Sequence, residues 1–355
     1  MAFGILETRA PPPGTVVLER NEDPNAGGKH VILVPEPSNS PKDPLNMPRV
    51  RKELFFLALI YGACITGVMG PVLVPGFSIV ASSFEVGLSK VALLNGALIM
   101  ALGVSSYICA PLASVFGRRL VYLATTVVLI VACIWAALAQ SYGSLIGARS
   151  LQGLGMGSFF AVAGTNSIND VFFVHQRGRR VGLWNFSVIV SVNAAPIISG
   201  FLITSLGWRW SFWMLAICFG VALIMVLAIM PETYFPQRDQ LLGIAPEEPK
   251  SEMLDDSAID RVKISELSPA QKGFGTDTSM GSAATEDDRV PVWKKILGIE
   301  SIQFKPLSEL VLMLTTPVSL LQHPVVLWSG AMWSTTFSWT IIQGAVADQI
   351  FAAPP

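Results

Sequence analysis

The sequence predicts an all-α membrane protein whose helices cross the bilayer several times. Of its 355 residues, 52% are hydrophobic and only 14% are charged. Long stretches carry no charged residue at all, and each can hold the roughly 20 apolar residues that cross a bilayer as one helix. On this basis seven spans are predicted, near residues 54–75, 90–112, 120–139, 143–167, 182–204, 210–230 and 324–347.

The polar segments between these spans divide the chain into four parts. Residues 1–53 are polar and rich in proline, which predicts a disordered tail. Six spans at 54–235 are expected to form one helical bundle. Residues 236–322 begin as a polar, acidic loop and end in an apolar piece, expected to lie as a helix on the membrane surface. Residues 323–355 supply the seventh span and the end of the chain.

Basic residues predict the orientation of the chain. They cluster at 49–52, 118–119 and 177–180, whereas the alternate loops hold little more than Lys90 and Arg209. The positive-inside rule therefore predicts a cytoplasmic N-terminus. The partner is the lipid bilayer, and the plasma membrane is the expected location. A net charge of −1 argues against nucleic acid as a partner.

The fourth predicted span contains a lone arginine. Arg149 is the only charged residue between Leu120 and Asn169, and Gln152 and Gly153 follow it on the same helical face. Because a charge inside the membrane is costly, it is expected to face a polar path. The alternative is that Arg149 only bonds to backbone carbonyls of a neighbouring helix. The spacing of Gly153 and Gly157 predicts close approach of another helix.

A few further polar residues fall within the predicted spans. Buried amides and hydroxyls need partners or water, so they are candidates for lining a path for a solute. The alternative, the commoner role of such a residue taken singly, is that it holds two helices together. Only three histidines occur, scattered in the tail and loops, with no metal-ligand or nucleophile cluster. No enzyme activity, cofactor or metal is therefore predicted. The remaining path candidates are Tyr61, Asn95, Asn193 and Gln343.

Short motifs in the predicted loops and spans occur in a recognisable order. They are Gly117-Arg118-Arg119 between spans 2 and 3, Arg149 to Gly157 in span 4, Asp170 with Arg177 after it, and Pro196 to Gly200 in span 5. With these motifs the chain resembles the major facilitator superfamily, in particular its fungal twelve-span drug:proton antiporters. The resemblance runs from about Asp43 to the last residue.

The resemblance implies an N-terminal six-helix bundle of a major facilitator fold plus one helix of a second bundle. It also implies efflux of a small organic compound, a drug for example, in exchange for protons. No carboxylate lies within the predicted spans, so the sequence does not locate a proton-carrying group. A seven-span receptor is the alternative from another class, and the predicted cytoplasmic N-terminus disfavours it.

The resemblance further assigns roles to the motif residues. It places Arg149 in a polar network beside the path, and Gly117, Arg118 and Arg119 at a gate, with topology anchoring as the alternative for the two arginines. The family's acidic and basic positions before them are here Ser114 and Val115, which implies a weaker latch between bundles.

The remaining motif residues concern helix ends and packing. Asp170 and Arg177 are expected to form an ion pair between helix ends; the alternative is a solvated pair worth under about 1 kcal/mol. Pro196 and Gly200 are expected to give a kinked, closely packed helix, with a merely structural proline as the alternative.

The position at which the sequence stops gives one more expectation. Members of the family continue past the seventh span with five more, whereas this sequence ends at Pro355. A truncated, non-transporting product is therefore expected, with Arg149 left uncovered or facing lipid.

Overall fold

The computed structural model describes residues 43–233 and 307–352, together with Pro35 and one short strand pair. Within these ranges, the structure does not describe the side chains of residues 164–165, 307–311, 337 and 340–352. The strands β1 (Glu19–Arg20) and β2 (His30–Val31) pair antiparallel, with Glu19 opposite Val31. The acidic loop predicted after the sixth span lies outside the described residues.

The first two predicted spans form the two arms of one helical hairpin. Helix α1 (Arg49–Val68) gives way to a 3-10 helix at Pro71–Gly76 and then to α2 (Phe77–Phe84). Two prolines in the 3-10 segment lack the N–H that a continuous α-helix would need, which explains the break. Glu85 ends α2 with a positive φ of 52°, and α3 (Leu88–Val115) returns across the bundle.

The third and fourth predicted spans follow a tight turn at Gly117, whose φ of 87° suits glycine. Helix α4 (Arg118–Leu138) leads to α5 (Tyr142–Gly157). The same span then continues as a π-helix at Ser158–Ser167 and closes with α6 (Ile168–Val171).

The last spans are α7 (Val174–Leu206) and α8 (Trp208–Ile229), joined at Gly207, followed by α9 (Leu307–Leu320) and α10 (Pro324–Ala352). A helix is thus found at each of the seven predicted spans. By length and composition, five helical segments in the described part of the chain can cross a membrane: Arg49–Phe84, α3, α4, α7 and α8. The predicted class, an all-α membrane protein, is confirmed, since the described spans are all helical.

The boundary of the N-terminal tail differs from expectation. Asp43 Oδ1 accepts from Leu45 N at 2.9 Å and caps a 3-10 helix at Pro44–Asn46. Lys52 Nζ donates to the Leu45 carbonyl at 3.0 Å, and α1 already begins at Arg49. The expected disorder to residue 53 is wrong for these residues, because Leu45 is buried and its backbone is bonded.

Candidate functional site

The arginine of α5 lies at the centre of the described bundle. The side chain of Arg149 is 0% exposed. Its Nη1 donates to the Met69 carbonyl at 2.9 Å, just beyond the end of α1. The guanidinium carbon lies 5.2 Å from the ring centroid of Phe212 on α8, within range of a cation–π contact. Arg149 therefore links three helical segments.

Two amide side chains complete this Arg149 cluster. Gln152 Oε1 accepts from Arg149 Nη1 at 3.2 Å, and its Nε2 donates to the Ala132 carbonyl of α4 at 3.4 Å. Asn95 on α3 presents Oδ1 to Arg149 Nη2 at 3.5 Å, the long limit of a hydrogen bond. Arg149 and Gln152 are fully buried, whereas Asn95 retains 8% exposure.

The expectation that Arg149 would be uncovered or face lipid is wrong. Neighbouring helices of the bundle enclose the side chain, because close contacts bring them against α5. The backbone-carbonyl contact is present in the bond to Met69, and it coexists with the polar contacts to Asn95 and Gln152.

Glycines make this enclosure possible, as the small-residue spacing in α5 predicts. A Cβ on Gly153 would lie 2.2 Å from the Leu98 carbonyl oxygen, and one on Gly157 would lie 2.3 Å from Ser105 Oγ. Both contacts are far below van der Waals separation, so α3 and α5 pack backbone to backbone. The predicted close approach is confirmed.

The other predicted path residues lie apart from the Arg149 cluster. Tyr61 on α1 donates from its hydroxyl to the Cys218 carbonyl of α8 at 3.4 Å. Asn193 is exposed on α7, and its Nδ2 donates to the Ile189 carbonyl of its own helix at 2.8 Å. Gln343 lies in α10, and its side chain is outside the described residues. Among the predicted path residues whose side chains are described, the structure groups Asn95, Arg149 and Gln152.

A second polar cluster lies where α4 begins. Arg118 Nη1 and Asp170 Oδ2 form an ion pair at 2.6 Å, with side-chain exposures of 12% and 23%. Glu232, just after α8, accepts from the backbone N–H groups of Arg118 at 2.9 Å and Arg119 at 3.2 Å. A carboxylate thus caps the N-terminus of α4, where backbone donors lack helical partners.

Two arginines at the start of α7 make different contacts: Arg177 bonds to carbonyls near it in the chain, and Arg180 binds a carboxylate of α1. Arg177 donates from Nε to the Phe172 carbonyl at 3.0 Å and from Nη2 to the Asn169 carbonyl at 2.8 Å. Arg180 forms a two-pronged ion pair with Glu53 of α1. The described acidic partner of Arg118 is Asp170, a pairing that the motif spacing did not predict.

The proline motif of α7 does not interrupt the helix. Helix α7 runs through Pro196 for 33 residues. A Cβ on Gly200 would lie 3.5 Å from Pro75 Cβ, which is ordinary contact and not the tight packing expected. A methyl group at Gly200 would therefore touch Pro75 of the 3-10 segment without a clash, so this contact does not require glycine.

Three contributors were missed by sequence reasoning. The Met69 carbonyl and the Phe212 ring carry no sequence signal for contact with Arg149. Glu232 does carry one, since an acid directly after an apolar span is suited to a nearby basic loop.

Apolar helices long enough to cross a bilayer, packed around a buried cationic cluster, define a multi-pass membrane bundle with a polar centre. The family model of the Major Facilitator Superfamily matches residues 54–352. The chain belongs to this superfamily.

Among its relatives is an uncharacterized MFS-type transporter of Schizosaccharomyces pombe, 26% identical over 92% of this chain and 60% of that protein. An efflux pump of Floropilus chiversii is 28% identical over 61% of this chain and 39% of the pump. Citrate exporter 1 of Aspergillus niger is 28% identical over 62% of this chain and 42% of the exporter. The chain thus spans 60% or less of the length of these curated relatives.

Proposed function

We propose that this chain forms the N-terminal bundle of a secondary transporter that exports a small organic compound across a membrane. The observation that carries the proposal is the Arg149 cluster, since a buried charge in a membrane bundle is costly and is retained where function needs it. Two relatives are named as an efflux pump and a citrate exporter, and both names favour the same direction of transport.

Exchange for protons is the proposed coupling. One relative, 28% identical over 57% of this chain, is named an MFS antiporter of Candida albicans. Between Leu54 and Pro231 the only carboxylates are Glu85 and Asp170, at helix ends. Asp170 is therefore the acid in this bundle that we assign to proton coupling, through its ion pair with Arg118.

The test is flux into proteoliposomes that contain the purified chain, with citrate, a cationic dye and a neutral drug as solutes. We expect an inside-acidic pH gradient to drive uptake of at least one solute, because protons leave the vesicle in exchange, and we expect this uptake to be lost in Arg149→Ala. Arg179→Ala is the matched control, because Arg179 is exposed at the start of α7. If no solute enters faster than into empty vesicles, the chain is non-transporting, as expected from the sequence alone, and the proposed function is wrong.

A further inference from the structure

The Arg149 cluster carries a positive charge without a described counter-charge. Glu85 ends α2 at one end of the bundle, and Asp170 is paired with Arg118 at the other. Arg149 makes hydrogen bonds only to neutral acceptors in the described part of the chain, and its buried Nε has no partner there. The Arg149 side chain is therefore fully buried and positively charged, and its Nε–H has no described acceptor.

Such a charge acts over a longer range inside the bundle than in water. In a medium of low dielectric constant, the interaction of two charges is several times that in solvent. A buried cation without a partner is unfavourable, and an approaching anion relieves that cost. A cation approaching the same place would meet repulsion from Arg149.

Asn95 on α3 lies beside this charge. Its Oδ1 faces Arg149, which orients the amide so that Nδ2 points away from the guanidinium. Asn95 keeps 8% exposure, and no described residue accepts a hydrogen bond from Nδ2. The amide therefore has donors without a described acceptor, and the charge of Arg149 lies on its other side.

We propose that Arg149, acting through Asn95, makes this bundle select solutes that carry a carboxylate. The carboxylate would accept hydrogen bonds from Asn95 Nδ2, and the guanidinium would stabilise its charge without direct contact. Arg149 is then a positioning and charge-selecting residue and Asn95 is the contact. This inference rests on the proposed function only insofar as the bound solute is also the transported one.

The experiment compares salicylate with salicylamide, a pair that differs by the charge of a carboxylate, and adds citrate as a multivalent probe. The purified full chain is heated in detergent at fixed ionic strength, and the unfolding midpoint is followed with each probe. We expect salicylate and citrate to raise the midpoint of the wild-type chain and salicylamide to have a smaller effect. Equal shifts from salicylate and salicylamide would overturn the proposal.

Asn95→Asp separates charge selection from a purely structural role. The new carboxylate would pair with Arg149, so the midpoint without ligand should rise while the shift caused by salicylate disappears. If Asn95 had only a structural role, Asn95→Asp would not both raise the midpoint without ligand and abolish the shift caused by salicylate. Asn185→Asp is the matched control, because Asn185 is exposed on α7 and bonds to its own helix through the Val181 carbonyl. This control should leave the salicylate shift unchanged.

Two further variants keep the result decisive if Asn95→Asp does not fold. Asn95→Leu keeps the volume and removes the donors, and should lose the preference for salicylate. Arg149→Lys keeps the charge, and should retain part of that preference. In proteoliposomes, Asn95→Leu should lower salicylate flux relative to salicylamide flux by about tenfold, the effect of one lost charge-assisted hydrogen bond.

The outcomes also separate this inference from the proposed function. If neutral or cationic solutes are transported and Asn95→Leu has no effect on charge preference, the inference fails and the transporter remains. If no solute is transported but the salicylate shift depends on Asn95 and Arg149, the inference stands and the proposed function fails.

Discussion

Glu232 holds the first turn of α4 through Arg118. The carboxylate Oε1 accepts from Arg118 N at 2.9 Å, and Oε2 accepts from Arg119 N at 3.2 Å. The two partners are separated by 114 residues, so the contact ties the end of α8 to the start of α4. Arg118 takes part in two contacts: its backbone N–H binds Glu232, and its side chain forms the ion pair with Asp170.

Removing the charge of Glu232 should destabilise the bundle. In Glu232→Gln the backbone N–H groups of α4 lose an anionic acceptor and the favourable interaction with the helix dipole, a loss of about 1 kcal/mol. The measurement is thermal unfolding in detergent followed by tryptophan fluorescence. Glu85→Gln, an exposed glutamate at the end of α2, is the control and should be neutral. Equal midpoints for the two variants would show that the cap contributes nothing.

The ion pair between Arg118 and Asp170 should show a larger coupling energy than the pair between Arg180 and Glu53. The first pair is 12% and 23% exposed, whereas the second is 21% and 55% exposed, so water screens it more. Double-mutant cycles with Gln and Asn replacements should give about 1 kcal/mol for the first pair and less for the second. A reversed order would mean that burial does not set the strength of these pairs.

Gly153 should tolerate no side chain. In Gly153→Ala the new Cβ would meet the Leu98 carbonyl oxygen at 2.2 Å, and separation of α3 from α5 should cost about 1–3 kcal/mol. Gly103→Ala is the matched control, because nothing lies within 4 Å of a Cβ at that position of α3. The control should be neutral or slightly stabilising, since alanine favours helix more than glycine does. Midpoints from thermal unfolding and the monodispersity of the purified protein report both effects, and a stable Gly153→Ala variant would contradict the packing.

The orientation of the chain remains a prediction from its basic residues. In a background without the four native cysteines, single cysteines at Ser82 and Thr204 should react with an impermeant maleimide on intact cells. A cysteine at Gly178 should react only after permeabilisation. All three positions are exposed, so accessibility from each side of the membrane decides the labelling. Labelling of the Gly178 position on sealed cells would reverse the predicted topology.

Local sequence predicted the helices well. Runs of apolar residues indicated each span, because the bilayer requires about 20 apolar residues in helical form whatever the neighbours are. The glycine spacing around Gly153 likewise predicted close packing, since the missing side chain is itself the cause. The boundary of the N-terminal tail was predicted poorly. Leu45 is buried and its carbonyl accepts from Lys52, and composition alone does not predict such contacts.

The sequence by itself determined that Arg149 is a lone charge within a membrane helix, together with the class of fold that holds it. Only the tertiary structure decided its partners. The Met69 carbonyl is 80 residues away and Asn95 is 54 residues away, and their contacts with Arg149 exist because the helices pack in one arrangement. Hydrophobicity specifies which segments enter the membrane, but lipid is apolar on every side of a helix. The fit of helix surfaces, such as the approach of Gly153 to Leu98, therefore decides which polar groups pair.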